Sequence, residues 1–503
     1  MESGGATLLS DADDAPPGAP GSYERHRPEQ TLLYQVIAQH YPAFLDRLTA
    51  EGRTLPRFVQ GEFEAYLKCG LLEHGFMRVR CTECHREKFV AFSCKRRGFC
   101  PSCGARRMVE SAALLVDDVL PAAPMRQWVL SVPFPLRFLF ASDPVAMSES
   151  LGIVYRAIAA FQIKKTRLTQ VQAQCGAITL IQRFGSALNL NIHYHMLVPD
   201  GVYLTETDPP YFRKVPAPTA AELQTLVQTI SERIGRRLER TGKLVRDEEN
   251  SYLAQDSDGE GEDAVLKDLQ GHSIQYRIAV GPHKGRKAFM LQSLPPLTGD
   301  RAGESLAKAA GFSLHAGVAT EAHQRNKLER VARYITRPPV AIERLSLTSQ
   351  GHIKYSLKTP YRDGTTHVIF EPLDFIARLA SLVPSPRVNL TRYHGIFAPH
   401  HRLRSLIVPS ARGAQKKKAQ REEGVEATPR HVAMTWAQRL KRVFLIDVTV
   451  CEHCGGAVKI IACIEDKATV RKILAHVESA TSPPGQLPPA RGPPSGSADL
   501  IGP

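Results

Sequence analysis

Two histidines one residue apart, a tyrosine in a basic helix and a run of cysteines carry most of the chemistry in this chain. Residues 187–198 read ALNLNIHYHMLV. Leu188, Leu190, Ile192, Tyr194, Met196 and Val198 alternate with Ala187, Asn189, Asn191, His193, His195 and Leu197. That is the period-2 pattern of a strand with one apolar and one polar face. Residues i and i+2 of a strand share a face, so His193 and His195 point the same way. Two imidazoles so placed can hold one divalent ion and leave positions open for a phosphate oxygen and water. An exposed pair of strand histidines is the plainer reading. The short amides beside the pair, which leave room for a ligand, favour the site.

The chain has ten cysteines, and five fall between Cys81 and Cys103. Cys81-x-x-Cys84 and Cys100-x-x-Cys103 are two pairs separated by 15 residues. Two such knuckles meeting at one point give a tetrahedral four-thiolate Zn²⁺ site, closed and therefore structural. Gly98 and Gly104 supply the turns with conformational freedom. Cys94, Cys69 and His74 are spare ligands, any of which can replace one of the four. Lys95, Arg96, Arg97, Arg106 and Arg107 surround the knuckles; that density of cations fits phosphate contacts, and a solvated basic face fits it equally. Near the end, Cys451-x-x-Cys454 with His453 and Cys463 is either a second knuckle or a set of structural thiols.

Residues 321–335 read EAHQRNKLERVARYI, with Leu328, Val331, Ala332 and Ile335 as an apolar stripe. At about 100° per residue, Tyr334 lies off that stripe, on the face of His323, Lys327 and Arg330. A phenol is a poor nucleophile unless positive charge stabilises its phenolate, and such neighbours also hold a DNA backbone. A tyrosine packed at a helix edge is the plainer reading.

The elements that must position these groups are legible in outline. A chain of 503 residues implies two to four domains. Lys+Arg exceed Asp+Glu by 65 − 50 = 15, which favours a polyanionic partner, most simply nucleic acid. No apolar run of about 20 residues exists, which excludes a spanning helix. The acidic, Pro-rich N-terminus is no secretory signal, so the expected location is the cytoplasm, at the nucleoid of a bacterium. Residues 1–28 read as a disordered leader and 29–112 as a helical and four-cysteine zinc domain, with a helix over Thr31–Leu48. Residues 125–408 form a second domain: WVLSVPFPLRFLF from Trp128 as strand and loop, a helix over Ser148–Ile163 capped by Ser148, two strands within 176–205 joined at Gly185-Ser186, and a helix over Ala221–Thr241. An acidic insertion (247–263), a helix over Glu321–Ile335 stopped by Pro338-Pro339, a basic linker (409–430), a small CxxC module (431–478) and a disordered tail (479–503) complete the chain.

The three motifs, in the chain order of cysteine block, histidine pair and tyrosine helix, resemble the rolling-circle transposases of the insertion-sequence ninety-one group, in the HUH (His-hydrophobe-His) endonuclease superfamily. SCKRRGFCPSCGARRM is similar to their zinc-binding domain, NLNIHYHMLVPDGVY to their metal motif and ARYITRPPVA to their tyrosine motif. Similarity extends over roughly residues 31–478. The resemblance implies an α+β fold: an HUH-type antiparallel sheet flanked by helices, carrying the His-x-His strand. It also implies Mg²⁺ or Mn²⁺ at His193 and His195, with Gln182 on the preceding strand as third ligand. Tyr334 is then the nucleophile that cuts single-stranded DNA at element ends through a 5′-phosphotyrosine, with Lys327 and Arg330 on the DNA.

Many members carry two tyrosines four apart, whereas position 330 here is Arg, as in the single-tyrosine branch. One tyrosine requires a second subunit, hence a homodimer, or attack by the free 3′-hydroxyl to complete the cycle. Tyr355 and Tyr361 are substitute nucleophiles by position, but they fall in a segment that reads as strand and turn. Two rival readings remain: a non-catalytic zinc-containing DNA-binding regulator derived from a transposase, and a hydrolase that activates water at His193 and His195.

Overall fold

The computed structural model describes residues 27–246, 251–253, 264–296, 305–409 and 449–481. The expected leader up to residue 26, most of the acidic insertion, the basic linker from residue 410, residues 431–448 of the expected small module and the tail beyond residue 481 lie outside the described residues. Within the expected insertion, Ser251–Leu253 forms a strand that pairs antiparallel with Leu244–Arg246 just before it.

A six-stranded sheet lies at the centre. Its order is Leu306–Ala309, Phe312–Thr320, Met125–Ser131, Leu190–Pro199, Gly176–Phe184 and Thr391–Gly395, with every neighbouring pair antiparallel. The histidine strand, Leu190–Pro199, is therefore interior. It turns back from Gly176–Phe184 through residues 185–189, closed by Gly185 N–H donating to the Asn189 carbonyl at 2.9 Å. Period 2 sorts its side chains between two cores. Ile192, Tyr194, Met196 and Val198 pack with the helices Pro144–Lys165 and Ala220–Arg240. Leu197 faces the other way, onto Leu328, Ala332 and Ile335 of the tyrosine helix, Arg325–Thr336. Each buried aliphatic side chain contributes about 1.5–3 kcal/mol, so a one-residue slip would move the whole set to the wrong face. A buried ion pair reinforces this register: Arg126 donates to both Asp200 oxygens at 2.8 and 2.9 Å and to the Ala316 carbonyl at 2.7 Å.

Several expected boundaries shift for identifiable reasons. The helix expected to start at Ser148 starts at Pro144, because Asp143 accepts from the Val145 and Ala146 amides while Pro144 needs no donor partner. The segment expected to be strand and loop from Trp128 is the strand Met125–Ser131 followed by the helix Phe134–Ser142. The tyrosine helix begins at Arg325 rather than Glu321, since the Gln324 side chain accepts from the Glu321 amide and holds that stretch as a turn. Thr31 caps the first helix, Leu32–Ala50, and Thr219 with Glu222 forms a capping box on Ala220–Arg240.

The front of the chain builds a second core. Tyr41 stacks on Phe63 at 4.5 Å, and Phe99 packs against Phe63 and Tyr66, joining the helices Leu32–Ala50 and Arg57–Lys68 to the cysteine block. A hairpin, Phe76–Cys81 with Glu87–Ala91, projects from it. The expected separate C-terminal module is not separate where it is described: Val458–Ile464 adds to the hairpin beside Phe76–Cys81. Hydrogen bonding of an otherwise open strand edge drives that addition.

Candidate functional site: a histidine pair, a tyrosine and two thiolate clusters

His193 and His195 project from the interior strand with ring centroids 4.8 Å apart. His193 Nδ1 lies 2.9 Å from the Asn191 carbonyl, to which it donates, which leaves its Nε2 lone pair free. His195 Nδ1 lies 2.8 Å from the Gln127 amide, and its Nε2 is enclosed without a partner. Burial pushes His193 down to about 4, aided by Arg337 and Arg137 and opposed by the Asn191 bond. Burial also holds His195 well below its ordinary value, with His193 and Arg337 adding to the effect. Both rings are thus neutral at physiological pH, as a metal-ligating imidazole must be.

Tyr334 stands over the pair. Its ring centroid is 6.5 Å from that of His195, nearly perpendicular, and the residue is 41% exposed. Arg337 lies 4.1 Å and Lys358 4.7 Å from its ring centroid. Positive charge therefore surrounds the phenol where a phosphate would approach. Tyr355 is fully enclosed and bound by Arg344, and Tyr361 accepts from Ser186 at 3.3 Å, so both hydroxyls are engaged elsewhere. Gln182 is directly opposite His193 in the ladder. Its amide nitrogen donates to the Ile335 carbonyl at 3.2 Å, and its oxygen is enclosed without a partner.

The thiolates correct the expected zinc set. Cys81, Cys84, Cys100 and Cys103 do not meet. Cys100 and Cys103 join Cys69 and Cys94, while Cys81 and Cys84 join Cys451 and Cys454. The reason is geometric. Cys81 and Cys84 ride on the tip of the projecting hairpin, whereas Cys100 and Cys103 open the helix Pro101–Ala113 next to Cys69 at the end of Arg57–Lys68. Four thiolates around Zn²⁺ at about 2.3 Å stand roughly 3.8 Å apart. The Sγ separations of 3.3–3.7 Å in the first set and 3.4–3.5 Å in the second fit that ion. Hydrogen bonding from Cys100 holds the Cys103 thiol far below its ordinary range. His74, His453 and Cys463 belong to neither set.

The basic residues around the knuckles are partly committed to structure. Arg97 donates to the Val388 carbonyl at 2.8 Å, and Arg107 to the Lys95 and Arg96 carbonyls. Arg106 pairs with Glu110, while Lys95 and Arg96 are exposed. Lys327 and Arg330 are exposed on the tyrosine helix.

Three residues of the site escaped sequence reasoning. Gln127 precedes the stretch read as strand. Arg337 follows the last helical turn. Lys358 arrives from a later strand, Ile353–Ser356, and has no local signal.

The tyrosine helix is also fastened to the zinc domain. Arg325 donates to the Pro121 and Leu120 carbonyls, each at 2.9 Å, and Thr336 to that of Met108. A Cβ at Gly104 would lie 2.6 Å from Pro338 Cβ, so this glycine serves close approach rather than a turn.

Residues 176–405 match the family model described as "Putative transposase", and residues 36–132 match that of the "Transposase zinc-binding domain". The two matches, one over the thiolate-bearing front domain and one over the antiparallel sheet, make the chain a transposase, and so a protein that acts on DNA. With the second match being the zinc-binding domain of IS91 elements, the chain belongs to the IS91-type transposases. No curated protein and no solved structure matches it. Among the described residues, no helix is long and apolar enough to cross a membrane.

Proposed function

We propose that this transposase nicks single-stranded DNA at element ends through Tyr334 and transfers the strand in the rolling-circle manner of HUH enzymes. The phenol oxygen attacks the scissile phosphorus. The bond from phosphorus to the 3′-oxygen breaks, and that oxygen leaves as a 3′-hydroxyl carrying the proton the phenol gave up. The 5′ side stays on the protein as a phosphotyrosine. One phosphodiester replaces another, so a later hydroxyl can reverse the step at a target without ATP. Because position 330 is Arg, the second transfer falls to a second subunit or to the free 3′-hydroxyl.

His193 and His195, with Gln182 as third donor, would hold Mg²⁺ or Mn²⁺. The unpartnered Gln182 Oε1 fits that role, and so does His195 Nε2 once the Gln127 side-chain amide turns its oxygen to receive the proton on Nδ1. Such an ion, when bound, supplies positive charge to the scissile phosphate. Gln127 and the Asn191 carbonyl hold the two rings, and Arg337 and Lys358 neutralise charge gathering around Tyr334. The observation that carries the reading is the 6.5 Å convergence of Tyr334 on His195, from helix and strand more than a hundred residues apart.

The test is denaturing electrophoresis after incubation with labelled single-stranded element ends and Mn²⁺. A slow, protease-sensitive band is expected from the parent and none from Tyr334→Phe, which still binds DNA. Metal-independent binding without nicking in the parent would instead make the chain a DNA-binding regulator. Cleavage without a covalent species would make it a hydrolase.

A further inference from the structure

A cavity of about 290 Å³ opens beside the histidine site, at the seam between the zinc domain and the central sheet. The end of the tyrosine helix, the last residues of Gly176–Phe184 and the start of Pro101–Ala113 enclose it. Four guanidinium-bearing residues line it: Arg97, Arg107, Arg183 and Arg337; no carboxylate does. Arg183 is the decisive one. It is 6% exposed, and its Nε and Nη2 are enclosed without a hydrogen-bond partner. Burial pushes its guanidinium down to about 10.

An enclosed guanidinium whose Nε and Nη2 meet no acceptor of the protein is costly unless a bound group solvates it. Folded proteins keep such a group where something binds to it. The planar fork matches the oxygens of a phosphate, and Arg97, Arg107 and Arg337 add positive charge. Pro338, Pro384 and Leu390 give the wall an apolar stretch that suits a deoxyribose or a base, beside polar groups such as Ser111 and Asn389. Gln182, opposite His193, also lines the cavity, so whatever fills it adjoins the histidine pair.

We propose that this cavity is an anchor for one nucleotide of the DNA strand, whose phosphate is bound by Arg183, close to the point where the strand meets His193 and Tyr334. It takes DNA as substrate from the family, and holds whether or not Tyr334 forms a covalent bond. A free phosphate or nucleotide shares the same chemistry, and the test separates the sources.

The measurement is the affinity of the full chain, carrying Tyr334→Phe, for a fluorescent single-stranded element end by anisotropy. Each phosphate of the strand is replaced in turn by a neutral methylphosphonate. Arg183→Met is expected to weaken binding about tenfold and to lower the salt slope by about one counterion. One linkage should cost the arginine form about tenfold and cost the Met form nothing, the signature of a direct pair. Arg183→Lys should restore part of that coupling. The Met form should melt no lower than its parent, since an uncompensated buried charge has been removed.

Three results overturn the assignment. A markedly lower melting point for Arg183→Met makes the guanidinium a structural group. Equal binding by both forms, with no coupled linkage, removes DNA from the cavity. Thermal protection of the arginine form alone by inorganic phosphate, without a coupled linkage, assigns the site to free phosphate. Absence of the covalent band from the Tyr334 protein sinks the nicking proposal and leaves the linkage measurement standing.

Discussion

Gly104 touches Pro338: the second turn of the helix that carries Cys103 is pressed against the residue that stops the tyrosine helix. Alanine at 104 gains about 1 kcal/mol of helix propensity but places a methyl 2.6 Å from Pro338 Cβ. The steric term wins, so Gly104→Ala should destabilise by roughly 1–3 kcal/mol in thermal melts. It should also lower the covalent-adduct yield, because the phenol moves relative to the histidines. Pro338→Gly in the same protein should recover part of both losses. Additive losses from the pair would show that the contact does not transmit displacement.

Native mass spectrometry should find two zinc ions per chain, one for each thiolate set. Cys94→Ser should remove one and Cys451→Ser the other. A single ion lost with Cys81 and Cys100 alike would restore the simpler one-site arrangement.

Gln127→Leu leaves His195 Nδ1 without its partner. Loss of such an orienting bond typically weakens metal binding by about 10–100-fold. Titration with Mn²⁺, followed by calorimetry, should show a drop of that size with little change in DNA affinity. Unchanged Mn²⁺ affinity would make Gln127 a packing residue.

The histidine pair sets a pH dependence whose sign follows from burial. Burial pushes His193 from its ordinary 6.5 down to about 4 in the folded protein and pushes His195 the same way. Between those values the unfolded chain takes up protons that the folded chain refuses. The His193 contribution to the stability of the metal-free protein should therefore fall as pH drops through 6.5 and level off below about 4. Urea melts across that window should show a shallower fall for His193→Asn. An identical slope would place the proton uptake elsewhere.

Asp200→Asn breaks the fork that receives Arg126 and leaves a guanidinium buried between strands. The expected cost is about 3–5 kcal/mol by denaturant unfolding. A cost under about 1 kcal/mol would mean that water reaches the pair.

Local rules carried the sequence reading where one strand or one helix decides the outcome. Alternation alone puts His193 and His195 on one side, and helical phase alone takes Tyr334 off the apolar stripe. The helices expected over Thr31–Leu48 and Ala221–Thr241 form within a few residues of those bounds, because apolar spacing along one helix is a local signal. The zinc partners were not legible, because spacing says that Cys81 and Cys84 share a turn but not which distant thiols reach it. Cys451 and Cys454 arrive by strand addition, a choice made by an open sheet edge. Gln127 and Lys358 meet the site only through tertiary folding, and Arg183 looks in sequence like any strand-end cation until its enclosure is seen.

The pairing of Cys81 and Cys84 with Cys451 and Cys454 has a consequence for synthesis. The hairpin emerges early from the ribosome, yet half of its ligands are made some 370 residues later. Two bare thiolates must wait through nearly the whole of translation, exposed to oxidants and to stray metals. A message cut short between codons 409 and 451 would yield a protein whose central sheet and Tyr334 are in place but whose early hairpin lacks both of its distant thiol partners.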